Sequence, residues 1–399
     1  MQISNTKFSA ITIDTSVFKN NSLKLEEGLL AQLCQFKNSS IQFILSDIVH
    51  LELRKHLLEK TEKTINDLSA VIKDAYILGF ESTLELKSSL ELLIVKNSSA
   101  EKIIDRRLED FYKNSGAVTL NSCSADIEIA RLVEMYFGSR APFEMTGSKK
   151  NEFPDALALL SMEAWAERNN LFLLAVSSDK GWENFAKNSS RIAVTDKLDI
   201  ALSTLQPIHF IKNNGNNLPV VISSYEKNVM EFQSIFAADE HNSILEAIDL
   251  AIIDSLDGIE IQADACSSYY FEEDYLETEY SYHEIVLNDD DVPEIHVIRA
   301  DSNEVIIELS ALVTCKISAS FRLSTWDSMD KEYICVGSTS KKQTETYQTD
   351  ILITLAGTRQ ALHKNLNTAE KTKALEILKI EILKDALDVH FGDLELDWD

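Results

Sequence analysis

The sequence is short of the features that would place it in several large functional classes. Its 399 residues contain no run of 18 apolar residues, so no membrane-crossing helix is expected. The opening segment MQISNTKFSAITID has no basic stretch followed by an apolar one, and no secretory leader is read from it. The five cysteines (Cys34, Cys123, Cys266, Cys315, Cys335) are scattered, odd in number and never spaced C-x-x-C. That pattern speaks against a disulfide framework and against a zinc site, and for a reducing cytoplasm. Neither GxGxxG nor GxxxxGKS/T occurs, which removes those nucleotide-cradling loops. His50 and His56 share one expected helix but lie six apart, on different faces, so neither reads as a ligand. No internal repeat is visible.

What the chain has in excess is acid, unevenly distributed. The formal net charge is -27. Residues 1–215 hold 25 Lys+Arg and 28 Asp+Glu, a balance of -3; residues 216–399 hold 13 and 37, a balance of -24. Two segments so different in electrostatics read as two domains, with the Asn-rich stretch IKNNGNNLP (211–219) as the joint. The expected division is 1–212 and 213–399.

In the first segment strands and helices alternate. SAITIDTSVF (9–18) reads as a strand that breaks at Asp14, and IQFILS (41–46) as a second. Ser46 caps the helix that follows, with Asp47 well placed for its dipole. From there to about 137 the period is helical, with breaks near Gly79, Asn97 and Gly116, and residues 60–137 read as a helical insertion. GSRAPFEMTGSKKN (138–151) is a loop, and Pro154 suits the first position of the next helix. LFLLAVSSD (171–179) and RIAVTD (191–196) are further strands. This order implies an α/β sandwich with a mainly parallel sheet, whose functional crevice lies at the carboxyl ends of the strands. The second segment begins with a helical pattern at 226–256. It continues as strand after strand: IEIQADA, EIHVIRA, EVIIEL, VTCKISASFRL, EYICVG, TYQTDILITL. Short turns between them imply an antiparallel sheet in an α+β domain. SSYYFEEDYLETEYSYHE (267–284) sets five tyrosines among acids and reads as a sheet edge or protein-contact surface.

Four acids stand out. Asp14 and Asp179 end strands, Asp155 opens the apolar helix EFPDALALL, and Glu52 lies half-buried beside Ile48, Val49 and His56 at helical spacing. Each alone has a plain structural reading: a cap, a turn, or an ion pair of Glu52 with Arg54 or Lys55. Gathered in one crevice they would repel one another and resist desolvation, and a cation would offset both. Oxygen-only ligands favour Mg²⁺ or Mn²⁺, which suit phosphoryl substrates. Arg54, Lys55, Lys149, Lys150 and Lys180 flank these acids and are the candidates for phosphate contacts.

The series IDTSVF, LSDIVHLEL, EFPDALAL, VSSDKGW resembles the PIN-domain nucleases, in particular a bacterial group with an enlarged helical middle; the likeness covers residues 8–200. It implies an α/β/α sandwich that hydrolyses RNA, less often DNA. It also implies divalent-metal ligation by Asp14, Glu52, Asp155 and Asp179, with Ser16 fixing Asp14 and Ser177 orienting the site. Toxic or defensive nucleases are common in that family, which implies a role in stress or phage defence. One departure stands out. Many members carry a second acid two residues after the fourth, where this chain has Gly181, followed by Trp182; Glu183 is the nearest acid to compensate.

Two other functions compete. IDTS superficially resembles the nucleophile loop of aspartyl-phosphate phosphatases, but Ser16 stands where their general acid would be. A catalytically silent PIN-like scaffold that binds nucleic acid or protein is the reading that Gly181 permits. For the acidic half, three readings stand open: a dispersing or oligomerising domain, a surface for a basic partner, or a restraint on the nuclease half.

Overall fold

The computed structural model describes residues 8–78, 87–88, 100–122, 129–143, 152–205, 209–213, 216–220, 250, 253, 260–286, 295–300, 304–329, 331–356, 376–384 and 386–396. It divides into two compact units, Met1–Val221 and Ile222–Asp399. The expected joint at 211–219 is itself a two-stranded antiparallel hairpin, β6 (His209–Asn213) against β7 (Asn216–Val220). The helix expected over 226–256 lies outside the described residues apart from positions 250 and 253, as do Lys149 and Lys150 and the breaks near Gly79 and Asn97.

In the first unit, the apolar run AITI forms β1 (Ala10–Ile13), buried at every position. Asp14 ends it because its carboxylate caps α1 (Thr15–Asn20), accepting from the Thr15 N–H. A short α2 (Gly28–Ala31) runs into a 3₁₀ turn at Gln32–Phe36, and β2 (Gln42–Ser46) follows. Ser46 caps α3 (Asp47–Ile77) as expected, accepting from the Ile48 N–H. Asp47 stands in the first turn, as expected, and its Oδ2 also accepts from both the N–H and the Oγ of Ser122, each at 3.0 Å. Beyond α3 come α4 (Ala100–Ser115) and β3 (Val118–Leu120), then α5 (Ile129–Phe137) and α6 (Phe153–Asn169). The unit closes with β4 (Leu173–Val176), α7 (Lys180–Ala186), β5 (Ile192–Thr195) and α8 (Leu198–Thr204).

The five strands form one parallel sheet in the order β3-β2-β1-β4-β5. Two details correct the sequence reading. Residues 118–120, just past the expected break near Gly116 in a stretch read as nearly all helical, are a sheet strand pairing with β2; three residues are too few to show a period of their own. Pro154 occupies the second helical position, because Glu152 is the cap and Phe153 opens the helix. A proline is tolerated there since the first-turn N–H groups have no intrahelical acceptor.

The strand order places a topological switch point at β1/β4. From β1 the chain moves outward to β2, and it later returns to add β4 on the other side. Neighbouring strands that send their connections opposite ways leave a crevice at their carboxyl ends. One face of the core is built from Leu159, Met162, Leu173, Ala175, Trp182 and Ile192. Burying each large side chain there contributes about 1.5–3 kcal/mol, enough to hold α6 and α7 firmly on the sheet.

The second unit is an antiparallel sheet dominated by one long hairpin, β11 (Glu304–Asp327) against β12 (Glu332–Ala356). EVIIEL and VTCKISASFRL belong to one strand, as do EYICVG and TYQTDILITL. The reason is an unbroken period of two: every odd position from Val305 to Leu323 is buried. The polar stretch between the two apolar parts of β12 stays extended because its partner strand does. β10 (His296–Ala300) and β9 (Tyr270–Ile285) both pair with β11, and β13 (Glu376–Ile382) pairs with β12. The tyrosine-and-acid segment is therefore a strand, β9, whose described pairing is with β11 alone, as an edge strand's would be. A separate parallel pair, β8 (Glu260–Cys266) with β14 (Ala386–Asp393), contributes Leu387, Val389 and Phe391 to the core under β11.

Candidate metal centre

Asp14 sits at the end of β1 and is buried. Its Oδ1 accepts from the Thr15 N–H at 2.6 Å, and its Oδ2 from Ser16 Oγ at 2.6 Å and Ser177 Oγ at 2.9 Å. Burial pushes its carboxyl above the usual range, opposed by these hydrogen bonds from Ser16, Ser177 and Thr15 and by the Ser16 backbone. Ser177 follows β4, and its hydroxyl also accepts from the Asp179 N–H at 3.1 Å. One serine thus ties together residues 163 positions apart, across the two strands of the switch point.

Glu52 projects from α3, half-buried, and its Oε2 accepts from Thr15 Oγ1 at 2.6 Å. Thr15 therefore bridges Asp14 and Glu52, its amide to one and its hydroxyl to the other. Asp155 lies in the first turn of α6, and its Oδ1 accepts from Trp182 Nε1 at 3.0 Å. Its pKa is raised to about 6, chiefly by burial and also by the charges of Asp14, Glu52 and Glu152, against the indole hydrogen bond that lowers it. Those three charges acting on Asp155 place Asp14, Glu52, Glu152 and Asp155 in one neighbourhood.

Asp179 is different. It caps α7, and its Oδ1 accepts from the Gly181 N–H at 2.5 Å. Its link to the other acids runs through Ser177. Gly181 explains the missing second acid: a Cβ there would stand 2.8 Å from Asp179 Oδ1 and 3.1 Å from Pro142 Cβ. Glu183 does not compensate, because it is exposed and pairs with Lys187 at 2.9 Å.

Of the basic residues expected to flank the acids, Arg54 makes a two-point ion pair with Asp105, at 2.6 and 3.1 Å. Lys55 lies 3.8 Å from Glu59, and Lys180 is exposed on the first turn of α7. His50 is held by Tyr112, its Nδ1 2.6 Å from the phenol oxygen. Thr15 and Trp182 are the contributors that sequence reasoning missed. The signal for Trp182 was available: a fully buried indole N–H needs an acceptor, and an acid lies on the neighbouring helix.

A divalent ion fits this donor set. The ligands are hard oxygens, and among the described residues no lysine or arginine contributes to the electrostatics of Asp14 or Asp155. Partly buried like charges without a counter-cation are what a bound cation would relieve. Among the described residues, no three of the four carboxylates bring oxygens all within 4.8 Å of one another. The arrangement is a set of neighbouring carboxylates rather than a closed cage, which suits an ion that keeps several waters.

The first unit is thus a parallel α/β domain with carboxylates near its switch point. More narrowly, residues 11–182 match the sequence model of a family described as PIN domain, a span that holds all four acids. The five-stranded sheet over residues 10–195, flanked by helices, is that of a PIN fold. PIN domains are generally metal-dependent nucleases. No curated protein and no solved structure matches the chain.

Proposed function

We propose that this protein is a Mg²⁺- or Mn²⁺-dependent endoribonuclease whose centre is formed by Asp14, Glu52 and Asp155, with Asp179 at its rim. The observation that carries the reading is the convergence of three carboxylates from β1, α3 and α6 at the β1/β4 switch point, with no lysine or arginine among the causes that shift Asp14 and Asp155. When bound, a divalent ion supplies Lewis-acid stabilisation of the negative charge that accumulates on a phosphodiester attacked by water. The chain's own residues do the rest. Ser16, Ser177 and the Thr15 amide fix the Asp14 carboxylate, the Thr15 hydroxyl fixes Glu52, and the Trp182 indole fixes Asp155. Positioning of this kind spares the reorganisation that water would otherwise require. Asp155, with a pKa of about 6, holds a proton at its carboxyl in mildly acidic solution and releases it near neutrality.

The long α3 and the α4 that follows it fit the PIN-like group with an enlarged helical middle, and family analogy extends the role to stress or phage defence. Four free cysteines, Cys34, Cys266, Cys315 and Cys335, fit a reducing compartment such as the cytoplasm. The acidic half, too negative to hold nucleic acid by charge, is read as a surface for a protein partner or a second copy of the chain. The test is cleavage of end-labelled RNA by the full chain with Mg²⁺ or Mn²⁺, compared with Asp155→Asn. Metal-dependent cutting lost in the variant, with the circular-dichroism spectrum unchanged, is the expected result. A wild-type chain that binds RNA without cutting it would favour the silent scaffold, and cleavage retained in the variant would remove Asp155 from the site.

A further inference from the structure

Apart from the carboxylate crevice, the first unit carries a concavity lined by two arginines. A cavity of about 500 Å³ is lined by Arg131 and Met135 of α5, Arg140 and Ala141 of the following loop, and Phe185 and Asn188 at the end of α7. Met135 and Phe185 are buried, so Arg131, Arg140 and Asn188 line a cavity with an apolar floor. Arg131 is anchored by an ion pair: its guanidinium lies 2.6 Å from one oxygen of Glu163, a carboxylate only 3% exposed, whose other oxygen accepts from Ser189 Oγ at 2.5 Å. Its guanidinium carbon lies 6.0 Å from the centroid of the Phe185 ring. An arginine fixed along one edge loses little side-chain freedom when its remaining N–H groups meet an anion. Arg140 is exposed and has no acidic partner among the described residues.

The loop that lines the cavity runs on to the neighbourhood of Asp179. Pro142, which follows Ala141, packs within 3.1 Å of the point where a Gly181 Cβ would lie, and Asp179 Oδ1 is 2.8 Å from that same point. On α7, Phe185 stands three residues beyond Trp182, the donor to Asp155, which is about 4.5 Å of helix rise. A polyanion entering the acidic crevice finds no lysine or arginine in the electrostatics of Asp14 or Asp155 among the described residues, so a cationic cavity in the same unit has a clear use.

We propose that the Arg131/Arg140 cavity is a phosphate subsite of the nuclease, holding a phosphodiester group of the bound strand close to the one being cut. This rests on the nuclease reading above. Guanidinium forks match phosphate oxygens two at a time, so the subsite sets the register of the strand as well as adding affinity.

The test uses the full chain carrying Asp155→Asn to silence cleavage, a fluorescein-labelled 12-nucleotide single-stranded RNA, Mg²⁺, and anisotropy titrations across a KCl series. Adding Arg140→Gln is expected to raise Kd about five- to tenfold at 0.1 M salt and to lower the slope of log K against log salt by about 0.7. Arg140→Lys, which keeps the charge, should retain the slope and recover part of the affinity. Arg140 is exposed, so these variants keep the fold, and Arg131 is left intact so that Glu163 stays paired. Unchanged Kd and slope in Arg140→Gln, with RNA still bound by Asp155→Asn, overturn the subsite and leave the nuclease reading standing. No binding by Asp155→Asn together with no cleavage by the wild type overturns both.

Discussion

Two collections of carboxylates can be compared within this chain. The acidic half holds 37 of the 65 Asp and Glu residues, and on β9 the acids Glu272, Glu273, Asp274, Glu277 and Glu279 face solvent. The crevice of the first unit holds only a few, yet there Asp14 and Asp155 have raised pKa values, and the charges of Asp14, Glu52 and Glu152 bear on Asp155. The side chains are chemically alike; the surroundings differ. On the strand, water solvates each carboxylate and salt screens its neighbours. In the crevice, burial removes water and like charges act at short range. Net charge locates the first collection and misses the second, so the acidic half draws attention while the chemistry proposed above belongs to the nearly neutral one.

The sharpest way to break this comparison is to remove one acid from each collection. Asp14→Asn or Asp155→Asn is expected to lower metal-dependent cleavage by about 10³-fold, on the order of 4 kcal/mol of transition-state stabilisation. Glu277→Gln on β9 should leave the rate within about twofold. Equal losses would erase the distinction between the two regions.

A smaller effect follows from the titration of Asp155. Its folded pKa of about 6 lies above the ordinary carboxylate value of 3.8. The folded state therefore holds the proton more tightly, and this contribution to stability is greatest below about pH 4 and lost as pH rises through 6. By neutral pH the deficit is about 3 kcal/mol at most, since each pKa unit is worth about 1.4 kcal/mol. Metal-free Asp155→Asn should then unfold at a higher temperature than the wild type at pH 7.5, and the gap should close at pH 4. Added Mn²⁺ should raise the wild-type Tm more at pH 7.5 than at pH 5. Melting curves at the three pH values check all of this, and a gap that grows toward pH 4 would reverse the sign.

Smaller again is Ser177→Ala, which takes a donor from Asp14 and an acceptor from the Asp179 N–H. A loss of about 1–2 kcal/mol in stability is expected, with cleavage slowed about tenfold at unchanged KM. Arg54→Ala is expected to matter least. Its guanidinium is engaged by Asp105, at an exposed site where ion pairs contribute about 0–1 kcal/mol, so RNA affinity should change less than about twofold.

Much of this architecture was readable from local pattern. β1, β2, β4 and β5 lie where short apolar runs end in polar or acidic residues, and the Ser46 cap is where a hydroxyl precedes a helical period. β3 escaped because three residues carry no period, and β11 was split because a local apolar count drops around Ser310 while the alternation runs on. At the site, the acids and two serines could be named, but not how they divide. Asp179 turns to its own helix start, whereas Asp155, also in the first turn of a helix, turns to a tryptophan on the next.

Local pattern suffices for the residue types: oxygen ligands in a given order, strands and helices in alternation, and an acidic half with a period of two. Which carboxylates share a crevice depends on the folded chain. β1 and β4 become neighbours because the chain crosses back over the sheet, which brings Ser177 to Asp14 across 163 residues, and α3 and α6 then deliver Glu52 and Asp155 to the same strand ends. Desolvation and repulsion depend on separation in space and on the exclusion of water, and neither quantity exists until the sheet has formed.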